Sequence, residues 1–172
     1  MARWWNRLQS NVYTRFHWIN ELYARSVRKR ASADVAMPPL APPPGHLSDA
    51  RVAVVTAAGV HLRSQEPFDM ENPEGDASFR VLPPDADVGE LVITHDYYDH
   101  RAADQDINCV YPIERMKELA DRGELGSLAP RHVGMMGHIY GAQRERLIRQ
   151  SAPEIAALLR EDRVDAVLAT PG

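Results

Sequence analysis

The sequence predicts an α/β fold, in which a layered, mostly parallel sheet is flanked by helices. Two short runs of apolar and β-branched residues, 51–56 and 165–169, have the composition of buried parallel strands. Two further segments, 112–123 and 151–161, repeat apolar residues at helical spacing, and the second directly precedes the last strand. Helices alternating with apolar strands are typical of a parallel sheet covered by helices.

Capping signals mark the ends of the predicted helices. Ser151 and Glu154 have the spacing of a capping box, and Gly123 is expected to end the earlier helix. The shorter elements follow from composition and turn residues. Strands are expected at 79–82 and 91–94, an extended piece at 107–111, and loops at 60–78 and at the glycine-rich stretch 124–141.

Length and composition indicate one globular domain with an appendage. The chain has 172 residues, of which 44% are apolar and 26% are charged. No run of about 18 apolar residues is present, and the first residues lack a secretory signal, so a cytoplasmic protein is expected. The single cysteine, Cys109, excludes an intrachain disulfide. We expect it to be a buried, inert thiol, with a role as a resolving thiol as the alternative.

The charge is unevenly distributed along the chain. Residues 1–30 carry seven Lys or Arg and one acid, whereas the rest carries 13 basic and 23 acidic residues. The acidic body argues against a nucleic-acid-binding protein. Residues 1–30 are predicted to form a basic amphipathic helix that packs on its own domain or a sister subunit, or lies on a membrane surface. A Pro-rich linker, 31–50, separates it from the α/β domain, 51–172.

Chemically active side chains follow three of the expected strands. If these strands are parallel, the loops after them meet at one edge of the sheet, where ligands bind in such folds. Histidines suit proton transfer near neutral pH, and an adjacent carboxylate can fix the tautomer. We predict that three histidines are catalytic and that five other residues bind substrate. The catalytic set is His61, His95 and His100, and the substrate-binding set is Arg63, Glu66, Asp96, Asp99 and His138.

Two segments admit other interpretations. The loop from His95 to Asp106 mixes imidazole and carboxylate, which suits Zn, Fe or Mn, but its spacing matches no strong metal signature. A metal-dependent hydrolase-like site, a metal-free acid–base or substrate-binding loop, and a hydrogen-bonded polar loop therefore stay open. The segment Gly134–Gly141 is either a substrate-facing loop or a tight turn.

Several segments of the body together resemble the selenoprotein B family of the glycine, sarcosine, betaine and D-proline reductases. The resemblance covers roughly residues 51–172 and leaves out the basic helix and the linker. No single segment would be sufficient, but the combination is fairly specific. The segments are Val55–Asp69, Thr94–His100, Asp106–Asn108, Gly126–Arg131 and Gly137–Gly141.

The resemblance implies a reductase whose nucleophile follows the last strand. Family members carry selenocysteine, or cysteine, in that loop, so we expect a selenocysteine just after Gly172 whose UGA codon was read as a stop. A selenolate or thiolate there would attack a carbon–heteroatom bond and release an amine. The domain would then be incomplete at its C-terminus, and the 172 residues alone would be inactive.

The resemblance also implies partners for this chemistry. They are a small-molecule amine or related substrate and a thioredoxin-like or other thiol reductant. Longer family members also work with a pyruvoyl-bearing partner subunit. Apart from the selenocysteine, neither a cofactor nor a metal is expected. The sequence is also compatible with a homo-oligomer. A non-catalytic α/β interaction module is the alternative that needs no nucleophile.

Overall fold

A computed structural model describes residues 41–42 and 45–172. Contacts divide the chain into two compact units, and the larger one comprises Pro44–His95 and His100–Gly172. No helix within the described residues is long and apolar enough to cross a membrane. The predicted helix 1–30 and most of the linker lie outside the described residues, so membrane contact through 1–30 and self-association stay predictions.

A five-stranded, mostly parallel sheet forms the centre of the larger unit, which confirms the mixed α/β class. Its strands are β1 (Arg51–Thr56), β3 (Phe79–Leu82), β5 (Ser127–Leu128), β6 (His132–Met135) and β7 (Ala166–Thr170). The central strand, β1, pairs in parallel with β5, β6 and β7, and β3 lies antiparallel to β6 at one edge.

Strand β1 is buried because it has neighbours along both edges. One edge pairs with β7 over the whole of 52–56, and the other is divided between β5 and β6. At the gap between these two strands, the Val54 N–H donates a 2.9 Å hydrogen bond to Nδ1 of His132. A side chain thus replaces a missing ladder bond, which satisfies a buried donor.

A separate antiparallel pair consists of β2 (Val60–Leu62) and β4 (Leu91–Ile93). The prediction that 60–78 is entirely loop is therefore wrong at its first residues. The strand predicted at 91–94 pairs antiparallel with β2, so the condition that all three strands before the candidate loops are parallel is not met. The loop after β4 therefore does not follow a strand of the parallel sheet. Hydrogen bonds through Gly59 bring it to the edge of that sheet.

The helices are short except at the C-terminal side. Helix α3 (Gly141–Arg146) runs through one π-helical turn, Leu147–Ser151, directly into α4 (Ala152–Glu161). Gly123 has a φ of +70°, as expected of a glycine that follows a helix C-terminus. Short 3₁₀ turns occupy Leu47–Asp49, Val88–Glu90 and Ile107–Cys109. The α-helices are α1 (Arg101–Gln105), α2 (Ile113–Asp121), α3 (Gly141–Arg146) and α4 (Ala152–Glu161).

Four local predictions were wrong. The stretch 124–141 was predicted to be a loop but contains β5 and β6. Gly134 lies in β6, where the absence of a side chain lets the backbone approach Val60 closely. Ser151 does not cap a helix: it is buried, has helical φ and ψ, and lies inside the continuous α3–α4 segment. Residues 107–109 form a 3₁₀ turn instead of an extended piece, and Cys109 in that turn is exposed.

An ion-pair network lies at the end of the sheet opposite the strand C-termini. Arg131, just before β6, binds the Asp162 carboxylate through Nε at 2.8 Å and also contacts Glu161 at 2.8 Å. The guanidinium beside Asp162 holds the pKa of that carboxyl below its usual range. Arg51 adds a 2.7 Å hydrogen bond to the Asp162 carbonyl oxygen. The network therefore joins β1, β6 and the end of α4.

We expect Arg131→Ala to lower the Tm, because Asp162, which is only 8% exposed, would lose its bidentate partner. Differential scanning calorimetry at neutral pH measures the change. Arg149→Ala is the matched control, since its pair with Glu145 is largely exposed and should contribute little. Equal Tm values for the two variants would contradict a structural role for Arg131.

Candidate functional site

The C-terminal ends of β1 and β7 meet at one point of the sheet edge. Thr56 and Thr170 are register partners, and both side-chain hydroxyls donate to the carbonyl oxygen of Val110, at 2.9 and 2.6 Å. This shared acceptor fixes the segment after the Ile107–Cys109 turn against the sheet edge. The sequence alone did not single out these two threonines, because their common partner is distant in the chain.

Gly59 connects the antiparallel pair to the main sheet. Its N–H donates to the carbonyl oxygen of Met135 at 2.8 Å, and its own carbonyl accepts from the Thr94 N–H at 2.9 Å. Gly59 has a φ of +74°, and a Cβ there would lie 2.8 Å from the Cβ of His95. A glycine is therefore needed at this position. This connection brings His95 to the edge formed by the parallel strands.

His95 lies among backbone segments at that edge. It is 5% exposed, and its Nε2 accepts a 3.3 Å hydrogen bond from the Gly137 N–H, so the neutral ring carries its proton on Nδ1. A Cβ on Gly137 would lie 3.2 Å from the Ala57 carbonyl oxygen, and one on Gly172 would lie 2.6 Å from Cα of Ala58. We refer to Ala57, Ala58, His95, Gly137 and Gly172 as the carboxyl-edge cluster.

His61 is placed differently from His95. Its Nδ1 bonds to the Leu62 carbonyl oxygen at 2.8 Å, and its Nε2 bonds to the hydroxyl of Thr94, also at 2.8 Å. The ring packs edge-on against Phe68, and burial lowers the pKa of His61. With both nitrogens occupied, this neutral ring favours a structural role in the β2–β4 pair, and its catalytic role stays a prediction.

His100 lies in the larger unit, whereas Asp96 and Asp99 fall in the other compact unit. His100 precedes α1 and pairs through Nδ1 with the Asp104 carboxylate at 2.8 Å. The segment Asp96–Asp99 falls in the other compact unit, where Asp96 is buried and Asp99 is half-buried. The site is therefore built from the larger unit without Asp96 and Asp99, whose roles stay predictions.

The segment after β2 divides into scaffold and exposed residues. Gln65 links β2 to β3 through hydrogen bonds to the Leu62 N–H and the Val81 carbonyl oxygen. Arg80 stacks 4.5 Å over the buried Phe68 ring and donates to the carbonyl oxygen of Glu66 at 2.7 Å. Only the Arg63 and Glu66 side chains of the predicted set remain exposed on this segment.

We expect Arg80→Ala to loosen the segment that carries Glu66, because four hydrogen bonds and one cation–π contact are removed. Hydrogen–deuterium exchange should show faster exchange over 64–69, with little change in α4. Arg122→Ala, which removes only an exposed pair with Glu124, is the control. Unchanged exchange over 64–69 would argue against this anchoring role.

His138 follows the carboxyl-edge cluster but points its Nε2 elsewhere. Nε2 donates a 3.2 Å hydrogen bond to the Pro73 carbonyl oxygen, and the ring packs edge-on against Tyr140. Burial lowers the pKa of His138, so the ring is neutral near pH 7. This geometry connects the β6 exit to the loop before β3. The described residues contain no group of three or more His, Cys, Asp or Glu side chains arranged to hold a metal ion.

The fold and this site define a class of protein: an α/β domain with a buried histidine, His95, beside close-packed backbone at the carboxyl edge of a mostly parallel sheet. The family model of glycine/sarcosine/betaine reductase selenoprotein B matches residues 30–172. The D-proline reductase subunit gamma of Acetoanaerobium sticklandii is 42% identical over 140 residues, which is 78% of this chain and 56% of that relative. The chain belongs to the selenoprotein B family of these reductases. No solved structure matches it.

Proposed function

We propose that this chain is the selenoprotein B-type subunit of a reductase that cleaves a carbon–nitrogen bond in a small amine or imino acid. A selenolate or thiolate in the loop after β7 is the nucleophile. The observation that supports this proposal is the packing of Gly172 against Ala58, beside the segment where Gly137 contacts both Ala57 and His95. We propose that a residue following Gly172 continues along this edge to within reach of His95.

The proposed reaction consumes one dithiol. The selenolate attacks the carbon that carries the nitrogen, forms an Se–C bond and expels the nitrogen with the electron pair of the broken C–N bond. A proton then neutralises the departing amine. A thiolate of the reductant next attacks selenium, the carbon leaves with the electron pair and is protonated, and the second thiol releases the selenolate with formation of a disulfide.

His95 is the best-placed proton donor for this step among the three predicted histidines. Its imidazolium, formed when Nε2 takes up a proton and gives up the hydrogen bond from the Gly137 N–H, would stabilise an adjacent selenolate and supply the proton to the leaving nitrogen. His95 belongs to the carboxyl-edge cluster, whereas His100 pairs with Asp104 and His61 bonds within the β2–β4 pair. These contacts favour supporting roles for the latter two.

The partners follow from the same chemistry. The electrons would come from a thioredoxin-like or other thiol reductant, and the relative's description as a subunit supports assembly with a second subunit. That relative is a D-proline reductase, so an imino acid is the first substrate to test. The chain spans about half the length of this relative, and we propose that further residues after β7 complete the domain.

A thiol placed after Gly172 tests the geometry directly. In a Cys109→Ser background, a cysteine followed by a short Gly-Ser tail is appended, and its alkylation by iodoacetamide is followed between pH 5 and 10. We expect a thiol pKa below the ordinary value of about 8.5, because His95 favours the thiolate. His95→Asn should return the pKa toward that value.

His46→Asn, at an exposed site outside the carboxyl-edge cluster, is the matched control and should leave the thiol pKa unchanged. Circular dichroism confirms that each variant is folded. A thiol with the reactivity of a free cysteine, insensitive to His95→Asn, would contradict the proposal that this edge activates a nucleophile.

A further inference from the structure

Thr170, the last residue of β7, is held at two points. Its carbonyl oxygen accepts a 2.9 Å hydrogen bond from the Ala57 N–H, and its side-chain hydroxyl donates a 2.6 Å hydrogen bond to the Val110 carbonyl oxygen. Pro171 follows and has no N–H, so it adds no donor to the strand ladder. Among the described residues, these two bonds are therefore the last that fix β7 before the loop after it.

The carbonyl that accepts this hydroxyl is itself held in place. The N–H groups of Val110 and Tyr111 both donate to the Ile107 carbonyl oxygen, at 3.0 and 2.8 Å, and the Tyr111 side chain is fully buried. Thr56, the register partner of Thr170, donates to the same Val110 carbonyl from β1 at 2.9 Å. The Val110 carbonyl thus ties the end of β7 to the end of β1 and to the 3₁₀ turn before it.

The strand does not need the Thr170 hydroxyl in order to form. Valine has a similar branched shape and also favours strands, and Thr170 is half-buried, so a valine fits this position. Without the Thr170 hydroxyl, the Val110 carbonyl keeps its bond from Thr56, so no buried acceptor loses its last partner. What the hydroxyl adds is a fixed direction for the chain as it leaves β7.

The chain reaches the carboxyl-edge cluster two residues after Thr170. A Cβ on Gly172 would lie 3.0 Å from the Ala57 carbonyl oxygen, and one on Gly137 would lie 3.2 Å from the same atom. The Gly137 N–H in turn donates to Nε2 of His95. A change in the direction of the chain at Thr170 would therefore alter the distance between the loop after β7 and His95.

We propose that Thr170 is a positioning residue for the nucleophile and acts through its hydrogen bond to Val110. The bond fixes the exit of β7, so that the selenolate or thiolate after Gly172 is held within reach of the His95 imidazolium. In this role Thr170 contacts neither the substrate nor the reacting atoms. This inference rests on the proposed function, because it concerns the nucleophile proposed for the loop after β7.

A cysteine appended after Gly172, in the Cys109→Ser background, reports on this role through its pKa. We expect Thr170→Val to raise the thiol pKa by about half a unit, which lowers the thiolate fraction about threefold at pH 6. Thr170→Ser, which keeps the hydroxyl, should keep the low pKa. In a His95→Asn background, Thr170→Val should have no further effect, because the partner of the thiolate is already removed.

Thr56→Val is the matched control, because it removes the other hydroxyl bond to the Val110 carbonyl without changing β7. Thr56 is fully buried, and its hydroxyl also accepts the Ala58 N–H at 3.3 Å. This variant should therefore lower the Tm at least as much as Thr170→Val, while it shifts the thiol pKa less. Circular dichroism and the Tm of each variant distinguish a loss of stability from a displaced loop.

Three results would overturn the inference and leave the proposed function intact. They are a low, His95-dependent thiol pKa that Thr170→Val does not change, an equal rise in Thr170→Val and Thr56→Val, and a rise that persists in full in His95→Asn. A thiol of ordinary pKa in the chain with Thr170 intact contradicts the proposed function itself, and the positioning role falls with it.

Discussion

Gly134→Val is expected to destabilise the larger unit strongly. Gly134 lies in β6, where a Cβ atom would collide with the backbone carbonyl oxygen of Val60. Val60 is fully buried in β2, so neither strand can move without separating the two sheets. We expect a loss of more than about 4 kcal/mol in the free energy of unfolding, measured by urea denaturation.

Gly45→Ala is the matched glycine control, because nothing lies within 4 Å of the Cβ it would add. It should unfold at the same urea concentration as the original chain. Gly134→Ala should be intermediate, since it adds the clashing Cβ but no branch. A Gly134→Val protein with normal circular dichroism and an unchanged urea midpoint would show that β2 and β6 do not pack this closely.

Acid is expected to destabilise the fold through His132. This ring is fully buried, its Nδ1 accepts from Val54, and burial lowers its pKa to about 4. Lys117 acts in the same direction, whereas Asp162 opposes it. The unfolded chain therefore takes up a proton at higher pH than the folded one. The contribution of His132 to the free energy of unfolding should be constant above about pH 6.5. It should fall by about 3 kcal/mol as the pH is lowered from about 6.5 to about 4.

His132→Asn tests this assignment. The Asn Oδ1 can accept the Val54 N–H in place of Nδ1, but it does not titrate, so the slope of unfolding free energy against pH should become smaller between 4 and 6.5. Some slope should persist, because burial also lowers the pKa of His61 and His138. His46→Asn, on the exposed surface, should not alter the slope. An unchanged slope in His132→Asn would exclude His132 as the main acid-sensitive group.

The predictable part of the fold is the part set by local composition. β1 matches its predicted bounds because six consecutive residues favour a buried strand, and α2 follows from Pro112 and its apolar spacing. β6 was missed because Gly134 reads as a loop residue, although it is needed for contact with Val60. Ser151 was misread because the capping pattern also fits inside a continuous helix.

The candidate site was predictable only in its residue types. His95 reaches the sheet edge through Gly59 and Thr94, a connection that depends on antiparallel pairing the sequence did not reveal. The joint anchoring of Thr56 and Thr170 by Val110 depends on contacts between residues 54 and 60 positions apart. Such long-range hydrogen bonds leave no local pattern, whereas a polar loop after an apolar strand does.

We propose that a selenolate or thiolate nucleophile follows β7 at the carboxyl-edge cluster. Mass spectrometry of the protein purified from its native source, with peptides that cover β7 and the residues after it, tests this most directly. We expect a peptide that continues past Gly172 into a selenocysteine, recognised by the selenium isotope pattern, or into a cysteine. A native chain with neither residue after β7 would contradict it.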